Sequence, residues 1–284
     1  MISNFYKIDD VNCYNLIIVF FIFYPFFSFS QEKLVKKSTY IDQNLIHLQI
    51  IDSLNGNQQF INILKFPNSN LDSLELNSEK GLNKLDRTST ISQDFNAIAA
   101  VNGGFFNMKT GDLITYFEKN DSVLYKTISD SIRRSKDDYF LNGAIVIDDN
   151  NELRLEVAKS DLFYKNSDAE RMVMVTGPML LKNRLPLKLA EIPFVTNKHP
   201  RTCICTSNDE IFLITIDGRR ELARGMNLLE LQNYLLDLGC IDALNLDGGG
   251  STTMWIKNRG VVNIPSDKNG ERSVSNNLMI IKKS

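Results

Sequence analysis

The stretch of sequence that decides the fold is IFLITIDGRRELARGMNLLELQNYLLDLGCIDALNLDGGGS, residues Ile211–Ser251. It begins with an apolar, β-branched run, Ile211–Ile216, and a second short run in which apolar and polar residues mix, Ile241–Leu246, lies near its end. Both runs predict strands. Between them, residues 228–238 show helical periodicity instead. The stretch therefore predicts a strand, a helix and a second strand in succession.

The predicted helix is marked at both ends. Asn227 is a suitable N-cap, and Glu230, three residues later, completes a capping-box pattern. Gly239 occupies the position at which helices commonly end. Four leucines recur at helical spacing between these ends: Leu228, Leu231, Leu235 and Leu238. The sequence therefore predicts an amphipathic helix between Asn227 and Gly239.

Outside this stretch, short apolar runs separated by polar turns predict strands that are mostly joined by hairpins. Residues 68–87 predict a loop with a short helix. Strand–helix–strand alternation occurs once, which favours an α+β fold over a doubly wound parallel sheet. We therefore predict a single α+β domain with a mixed, largely antiparallel β-sheet core and a few flanking helices. The further strands are predicted at 45–50, 59–64, 97–101, 143–147, 153–157, 172–175, 203–206 and 278–281.

The first thirty residues differ from the rest of the chain. Leu16–Phe27 reads LIIVFFIFYPFF, which is shorter than the roughly 20 apolar residues of a membrane span and matches a signal-peptide core. Small residues at Ser28 and Ser30 are suitable for a cleavage site before Gln31. We predict that residues 1–30 are a signal peptide; the alternative is an uncleaved N-terminal anchor.

Composition narrows the class of protein further. A net charge of −2 gives no electrostatic basis for binding nucleic acid. Apolar residues make up 43% of the chain, which is enough for a sizeable core. Together with the signal peptide, this predicts a protein that is secreted or periplasmic, in the cell envelope, and free of the membrane after signal cleavage. The abundance of Lys, Asn and Ile suggests a bacterial origin.

Three cysteines follow the predicted signal peptide, and their spacing matches no metal site. Cys203 and Cys205 share one face of a predicted strand. Either of them can pair with Cys240 in an oxidising compartment. The alternative is that all three are small buried thiols.

Four predicted strands end in a polar residue that is followed by glycine, and ligand sites in sheet proteins gather at such strand ends. Ordinary turns are the alternative for most of them, because Asn-Gly and Asp-Gly are common turn pairs. Three consecutive glycines cost more backbone entropy than a simple turn needs, which favours a ligand site after Asp247. The four segments are 102–104, 176–177, 217–219 and 247–251.

Two of these strand ends carry carboxylates. Asn245 and Asp247 project to one side of their strand, and Thr215 and Asp217 do the same on theirs. If the two strands are neighbours, both carboxylates face one cavity, as is usual in enzymes that cut glycosidic bonds.

Positively charged residues lie near these carboxylates along the chain. Arg201, Arg219 and Arg272 suit a phosphate group, because a guanidinium donates two parallel hydrogen bonds. His199 is the histidine expected near the site, and a single histidine cannot form a His-based metal centre. We therefore predict no cofactor, although an oxygen-ligand Ca²⁺ site built from Asp and Asn stays open.

Several motifs, taken in order, resemble the phosphodiester glycosidase domain family. The resemblance runs from about Ala97 to the C-terminus, so residues 97–284 are predicted to be the phosphodiester glycosidase domain and residues 31–96 to add N-terminal strands to it. The motifs are VNGGFF (101–106), HPRT (199–202), ITIDGR (214–219), GMNLLEL (225–231), ALNLDGGGSTTM (243–254) and ERSVSNNLMI (271–280).

This resemblance implies hydrolysis of the bond between an anomeric carbon and a phosphate oxygen, with a carbohydrate phosphodiester as substrate. Asp247 is predicted to activate water or to attack the anomeric carbon, and Asp217 to orient the sugar or to serve as the second carboxylate. Predicted catalytic residues are Asp247, Asp217, Arg201 and Arg272, and predicted substrate-binding residues are Asn102, Gly103, His199, Arg219, Asn245, Gly248, Gly249, Ser251 and Asn276. The alternatives are a glycosidase that acts on non-phosphorylated envelope or dietary glycans, and a non-catalytic glycan-binding envelope protein.

Overall fold

β-strands dominate the computed structural model, which describes residues 35–54, 57–68, 74–127 and 140–283. The predicted signal peptide lies outside these residues. The helices are α1 (Thr88–Asp94), α2 (Asp161–Lys165), α3 (Pro193–Thr196) and α4 (Leu228–Asp237). The strands are β1 (Val35–Asp42), β2 (Leu45–Leu54), β3 (Asn57–Pro67), β4 (Leu74–Asn77), β5 (Asp86–Arg87), β6 (Ala99–Asn102), β7 (Phe117–Lys119), β8 (Ser122–Tyr125), β9 (Gly143–Ile147), β10 (Leu153–Val157), β11 (Met172–Thr176), β12 (Met179–Lys182), β13 (Leu185–Pro186), β14 (Arg201–Thr206), β15 (Glu210–Ile216), β16 (Asp242–Asn245), β17 (Met254–Ile256), β18 (Gly260–Val261), β19 (Ser273–Val274) and β20 (Asn277–Lys282).

The strands form three main sheets. Sheet I has eight strands in the order β1-β2-β3-β15-β14-β16-β12-β13. Sheet II has the order β10-β9-β11-β7-β8, sheet III has the order β18-β17-β6-β20-β4, and β19 pairs with β5 alone. The strand pairs are antiparallel, for example β14 with β15 and β14 with β16. The predicted α+β fold with a largely antiparallel sheet core is therefore confirmed.

One hydrophobic cluster joins the three sheets. It contains Leu213 and Ile204 from sheet I, Met174 from sheet II, and Val101 and Leu278 from sheet III. Burying apolar side chains from all three inner faces in one cluster is what holds the sheets together.

The longer helices cover the outer faces of the sheets. Leu231 and Leu235 of α4 pack against Cys203 and Cys205 of sheet I. Ile91 of α1 belongs to a cluster on sheet III, and a third cluster forms around Tyr164 of α2 with residues of sheet II. Each sheet thus has an apolar partner on both faces, which leaves the strand ends as the places where polar loops can gather.

The predicted helix 227–239 is present, and its capping box is complete. The Asn227 side chain accepts from the Glu230 backbone N–H, and the Glu230 carboxylate accepts from the Asn227 backbone N–H. The segment 68–87 differs from the prediction of a loop with a short helix. It contains β4, whose side chains Leu74 and Leu76 are buried in the common cluster, while the helix α1 begins only at Thr88.

A disulfide bond joins Cys205 to Cys240, and Cys203 is a free, buried thiol. Of the two pairings that the sequence left open, the structure therefore contains the one with Cys205. The bond connects β14 to Cys240, which lies in the short connection between α4 and β16.

Removing this disulfide is expected to lower the free energy of unfolding by about 3–4 kcal/mol, because it closes a loop of 35 residues and so restricts the unfolded chain. Urea denaturation of Cys240→Ser against the parent protein measures the change. Cys203→Ala is the matched control, since it removes a buried thiol and leaves the bond in place. A dithiothreitol-insensitive unfolding midpoint in the parent protein would contradict the prediction.

Across the described ranges, none of the helices combines the length and the apolar character that crossing a membrane requires.

Candidate active site

The Asp247 backbone is fixed by the loop that follows β6. Its N–H donates to the Gly103 carbonyl over 3.1 Å, and its carbonyl accepts from Asn102 Nδ2 over 2.6 Å. Because both partners lie directly at the end of β6, sheet III holds Asp247 at the end of sheet I. The structure thus brings together the two motifs that the sequence separates by more than a hundred residues.

Asn102 connects three segments at this point. Its Oδ1 accepts from the Thr202 hydroxyl over 2.7 Å and from the Thr253 N–H over 3.1 Å, and the side chain is fully buried. A buried amide with both ends hydrogen-bonded is a rigid connector. Asn102 therefore positions the Asp247 loop, and its predicted direct contact with substrate does not follow from this geometry.

Asn276 holds the neighbouring glycines in the same way. Its Oδ1 accepts from the Gly104 N–H over 2.9 Å, its carbonyl accepts from the Gly103 N–H over 3.1 Å, and it is fully buried. A Cβ at Gly103 would overlap the Asn276 side-chain oxygen. Asn276 and Gly103 thus support the loop that contacts Asp247.

The glycines after Asp247 form a tight turn against the HPRT segment. The Gly248 N–H donates to Asp247 Oδ1 over 2.8 Å, and the Gly249 N–H donates to the Pro200 carbonyl over 2.9 Å. A Cβ at Gly248 would lie 2.8 Å from the same Pro200 oxygen. Gly249 also has φ +62°, a backbone conformation that favours glycine. The predicted need for glycine here therefore has two physical causes, close approach and backbone conformation.

Two guanidinium groups lie against this turn. A Cβ at Gly249 would lie 2.8 Å from Arg219 Nη2, and a Cβ at Gly250 would overlap the Arg272 guanidinium. The missing side chains of Gly249 and Gly250 are thus what allows both arginines to approach the backbone beside Asp247. The structure brings Asp247, Arg219 and Arg272 together, as the sequence predicted.

Arg272 is held in place by a carboxylate that the sequence analysis missed. Asp267 accepts from Arg272 Nε over 2.8 Å and from Nη2 over 3.0 Å. This fork uses two of the five N–H groups of Arg272 and leaves both of those on Nη1 and one on Nη2. Nothing in the sequence distinguishes Asp267 from other turn aspartates, because its partner is defined only by the folded loop.

Burial raises the pKa of the Asp247 carboxyl to about 6, while the nearby Ser251 side chain, the hydrogen bond from the Gly248 N–H and the charges of Arg272 and Arg219 act in the opposite direction. A carboxyl with this pKa is ionised at neutral pH and still basic enough to accept a proton. Ser251, which the sequence placed in the site, is buried next to this carboxyl.

His199 lies beside Arg219. Its Nδ1 is 3.3 Å from Arg219 Nη2 and must be the acceptor, since a guanidinium only donates. Burial and the charges of Arg201 and Arg219 lower the pKa of His199, so the ring is neutral at pH 7. A neutral ring that accepts at Nδ1 carries its proton on Nε2 and offers that atom as a hydrogen-bond donor.

Arg201 does not offer its guanidinium to a ligand as predicted. Its Nε donates to the Met226 carbonyl over 2.9 Å, and its Nη2 donates to the carbonyls of Phe194 and Asn197 over 2.8 and 2.9 Å. The side chain is 1% exposed, and a buried guanidinium needs such partners. Within the described part of the chain, no carboxylate lies within ion-pair distance of Arg201, so its positive charge is not neutralised by a salt bridge. This charge acts on neighbouring groups such as His199 without a direct contact.

Asp217 has a different environment from Asp247. Its carboxylate accepts from the Ile264 N–H over 3.1 and 3.2 Å and from Asn263 Nδ2 over 3.3 Å. It lines a cavity of about 250 Å³ together with residues such as Phe60. Burial raises the pKa of Asp217 to about 6.

The premise that placed the two carboxylates in one cavity is wrong, because β14 lies between β15 and β16. Thr215 pairs with Thr202 on β14, whereas Asn245 pairs with Cys203, the next residue. Successive residues of a strand point to opposite faces, so Thr215 and Asn245 do too. Asn245 is fully buried and donates to the Gly177 and Leu246 carbonyls over 2.9 and 2.7 Å, so it supports the strand end and does not face the site.

No metal-binding group was found among the described residues: they contain no cluster of three or more His, Cys, Asp or Glu side chains that is placed to hold an ion. The Ca²⁺ site stays a prediction.

The chain has clear relatives. A family model described as phosphodiester glycosidase matches residues 95–281. The SPbeta prophage-derived uncharacterized protein YomE of Bacillus subtilis (strain 168) is 36% identical over 84 residues, which is 29% of this chain and 13% of that protein. The N-acetylglucosamine-1-phosphodiester alpha-N-acetylglucosaminidase of Bos taurus is 41% identical over 58 residues, 20% of this chain and 11% of that enzyme. The matched segments thus span a small part of these relatives' length.

A solved structure shares the fold. The zebrafish N-acetylglucosamine-1-phosphodiester alpha-N-acetylglucosaminidase catalytic domain, auto-inhibited by its pro-peptide, superimposes with a TM-score of 0.65 at 18% identity and covers 88% of each chain. At this identity, the similarity concerns the arrangement of the strands and helices.

Proposed function

Because the chain belongs to the phosphodiester glycosidase family, we propose that it hydrolyses a sugar-1-phosphodiester and releases free sugar and a phosphomonoester. The observation that carries this proposal is the grouping of Asp247 with Arg219 and Arg272 around the glycine turn. A basic carboxylate beside two guanidinium groups is suited to a substrate that has an electrophilic carbon next to a phosphate.

In the proposed reaction, the phosphate binds to Arg219 and to the free Nη1 of Arg272. A water oxygen attacks the anomeric carbon, and the bond between that carbon and the phosphate oxygen breaks. The bonding electrons stay on the phosphate, and Asp247 takes the water proton and later releases it to solvent. In the alternative sequence, Asp247 attacks the carbon first, and water then hydrolyses the glycosyl ester.

The leaving group explains why two arginines take the place of a strong general acid. A phosphomonoester has a second pKa of about 6, so it leaves as an anion without first being protonated. Of the two arginines proposed to bind the phosphate, Arg219 has no carboxylate within ion-pair distance among the described residues, whereas Arg272 is paired with Asp267. More of the positive charge of Arg219 is therefore available to the phosphate. The buried charge of Arg201 adds to the positive field around the leaving phosphate.

Hydrolysis in H₂¹⁸O tests which bond breaks. Cleavage between carbon and oxygen leaves the released phosphomonoester without label, whereas cleavage between phosphorus and oxygen puts one ¹⁸O atom on the phosphate. Mass spectrometry of the phosphomonoester distinguishes these outcomes. A labelled phosphate would exclude a glycosidase mechanism, and the assay is run with and without chelator to test the predicted independence of metal.

A matched aryl glycoside with the same sugar tests whether the phosphate is required. Faster hydrolysis of the aryl glycoside than of the phosphodiester would favour the alternative of a glycosidase for non-phosphorylated glycans. Tight glycan binding without turnover of either compound would favour the non-catalytic alternative.

The proposed role of Asp247 predicts a pH dependence. The value of kcat/KM should rise as the pH increases through about 6 and then level off, because the reaction needs the ionised carboxylate. A phosphodiester does not ionise in this range, and burial together with the charges of Arg201 and Arg219 holds the pKa of His199 below its usual value. Rates measured from pH 4 to 9 check this, and a fall in kcat/KM across pH 5–7 would contradict it. Because Asp217 also has a pKa of about 6, Asp217→Asn should keep the inflection if Asp247 causes it.

We also propose that the protein works outside the cytoplasm, secreted or in the periplasm. The Cys205–Cys240 disulfide supports this proposal, because such bonds persist in oxidising compartments.

A further inference from the structure

Three phenylalanine rings from separate segments form a cluster that the proposed reaction does not use. The rings of Phe140 and Phe194 are 4.8 Å apart between centroids, and the ring of Phe105 lies 5.7 and 5.6 Å from them. All three residues are half-buried, and Phe194 also packs against the hydrophobic cluster of sheet I and α4. Aromatic side chains with this partial exposure, grouped together, commonly mark a binding surface.

This phenylalanine cluster is directly connected to the proposed active site. Phe105 follows Gly103 by two residues, so their Cα atoms are at most about 8 Å apart, and the Gly103 carbonyl accepts from the Asp247 N–H. The guanidinium of Arg201 lies 5.0 Å from the centroid of the Phe194 ring. A Cβ at Gly248 would lie 3.7 Å from the Cα of Arg201, so the glycine turn and the cluster flank the same residue.

The position of the cluster relative to the charges indicates which part of a substrate it would meet. Arg201 lies against the Phe194 ring and beside Gly248, and Arg219 lies beside the next residue, Gly249. Burial lowers the pKa of Arg201 to about 9, and the charge of Arg219 acts in the same direction. The rings thus lie on Arg201, which flanks the glycine turn that Arg219 and Arg272 contact. The group on the far side of that phosphate is the aglycone.

We propose that Phe105, Phe140 and Phe194 bind the aglycone of the substrate by stacking against a planar ring, and so determine which phosphodiesters are preferred. This inference rests on the proposed function. Apolar rings attract a flat apolar group by removing both surfaces from water and by offset stacking or edge-to-face contact. A methyl aglycone has no ring for this stacking and gains little from the cluster.

The test compares two diesters of the same sugar-1-phosphate, one with a methyl and one with a benzyl group. Their leaving groups have closely similar acidity, so a difference in kcat/KM reports binding of the ring. The parent protein should prefer the benzyl diester by roughly 10-fold, as expected for one or two aromatic contacts. Phe140→Ala should remove most of this preference and leave the methyl diester nearly unaffected.

Phe140 is the residue to change, because Phe194 also supports Arg201. Phe140→Leu keeps apolar bulk if the alanine variant does not fold, and it should also lose most of the preference. Phe163→Ala is the matched control: its ring is 46% exposed and packs on Tyr164 and Lys159 of the α2 region. The preference of Phe163→Ala for the benzyl diester over the methyl diester should equal that of the parent protein.

The outcomes separate the two proposals. Turnover of both diesters without a preference, or an equal loss on both in Phe140→Ala, would overturn the role of the cluster and leave the proposed function intact. Absence of turnover of either diester by the parent protein would overturn the proposed function, and the aglycone site with it.

Discussion

Asp247→Asn is expected to lower kcat for a sugar-1-phosphodiester by roughly 10³-fold, within the range that a positioned acid–base group contributes. The amide can still accept from the Gly248 N–H, so the loop keeps its shape, but it can neither accept a proton nor attack a carbon. Initial rates under saturating substrate measure the effect. Turnover close to that of the parent protein would remove Asp247 from the mechanism.

The control for this variant is Asp237→Asn, which changes an exposed carboxylate at the end of α4 and should leave kcat unchanged. Stability provides a second readout. Because burial raises the folded-state pKa of Asp247 to about 6, the ionised carboxylate lowers stability as the pH rises from about 4 through 6. Asp247→Asn should therefore be more stable than the parent protein at pH 7.5 and equally stable below pH 4. A loss of stability at pH 7.5 would point to misfolding as the cause of inactivity.

Gly250→Ala is expected to lower kcat/KM by roughly 100-fold, the order of loss that follows a displacement of about 1 Å in a reacting group. The new Cβ would overlap the Arg272 guanidinium and Asp267 Oδ1, so this ion pair has to move away from the turn. Both side chains are partly exposed, at 24% and 33%, and can move into solvent. Stability should therefore change much less than activity.

Gly260→Ala is the matched control, because a Cβ there meets no heavy atom within 4 Å. Its φ of +75° makes alanine slightly strained, so it reports the cost of strain without a displaced arginine. Full activity in Gly250→Ala, with stability equal to the parent protein, would show that the position of Arg272 does not matter for the reaction.

Local signals in the sequence were sufficient for the secondary structure near the site. The capping box at Asn227 and Glu230 and the leucine spacing define α4 without any tertiary information. The strands 143–147 and 153–157 occur with the predicted bounds, because their hairpin depends on a short polar turn and on apolar periodicity. β4 was missed because its segment is short and polar at its borders, and only packing on β20 makes it a strand.

The order of the strands could not be predicted from the sequence. Two strands that are joined through a helix can be neighbours or can enclose a third strand, and here β14 lies between β15 and β16. This one feature decides the register, and with it which face each polar side chain takes. The expectation that Asp217 and Asp247 face one cavity depended on the opposite assumption.

The structure brings several motif residues to one strand end, but the sequence did not separate those that can face a ligand from those that support the loop. Asn102 and Asn276 lie at the strand end as predicted, yet both are fully buried connectors. The residue that holds Arg272, Asp267, has no signal of its own in the sequence. Whether a polar side chain at a strand end is buried depends on loops that arrive from elsewhere in the chain.

The match to the family model begins at residue 95, but the hydrogen bonding of the sheets begins earlier in the chain. β3 pairs with β15 along its length, and β4 pairs with β20. A fragment trimmed to the recognisable motifs would expose the backbone groups of β15 and β20 as two bare edges, which recruit strands from other molecules. Cloning boundaries taken from homology alone would thus be expected to produce an aggregating protein, and the residues from Val35 onward belong in any expressed version.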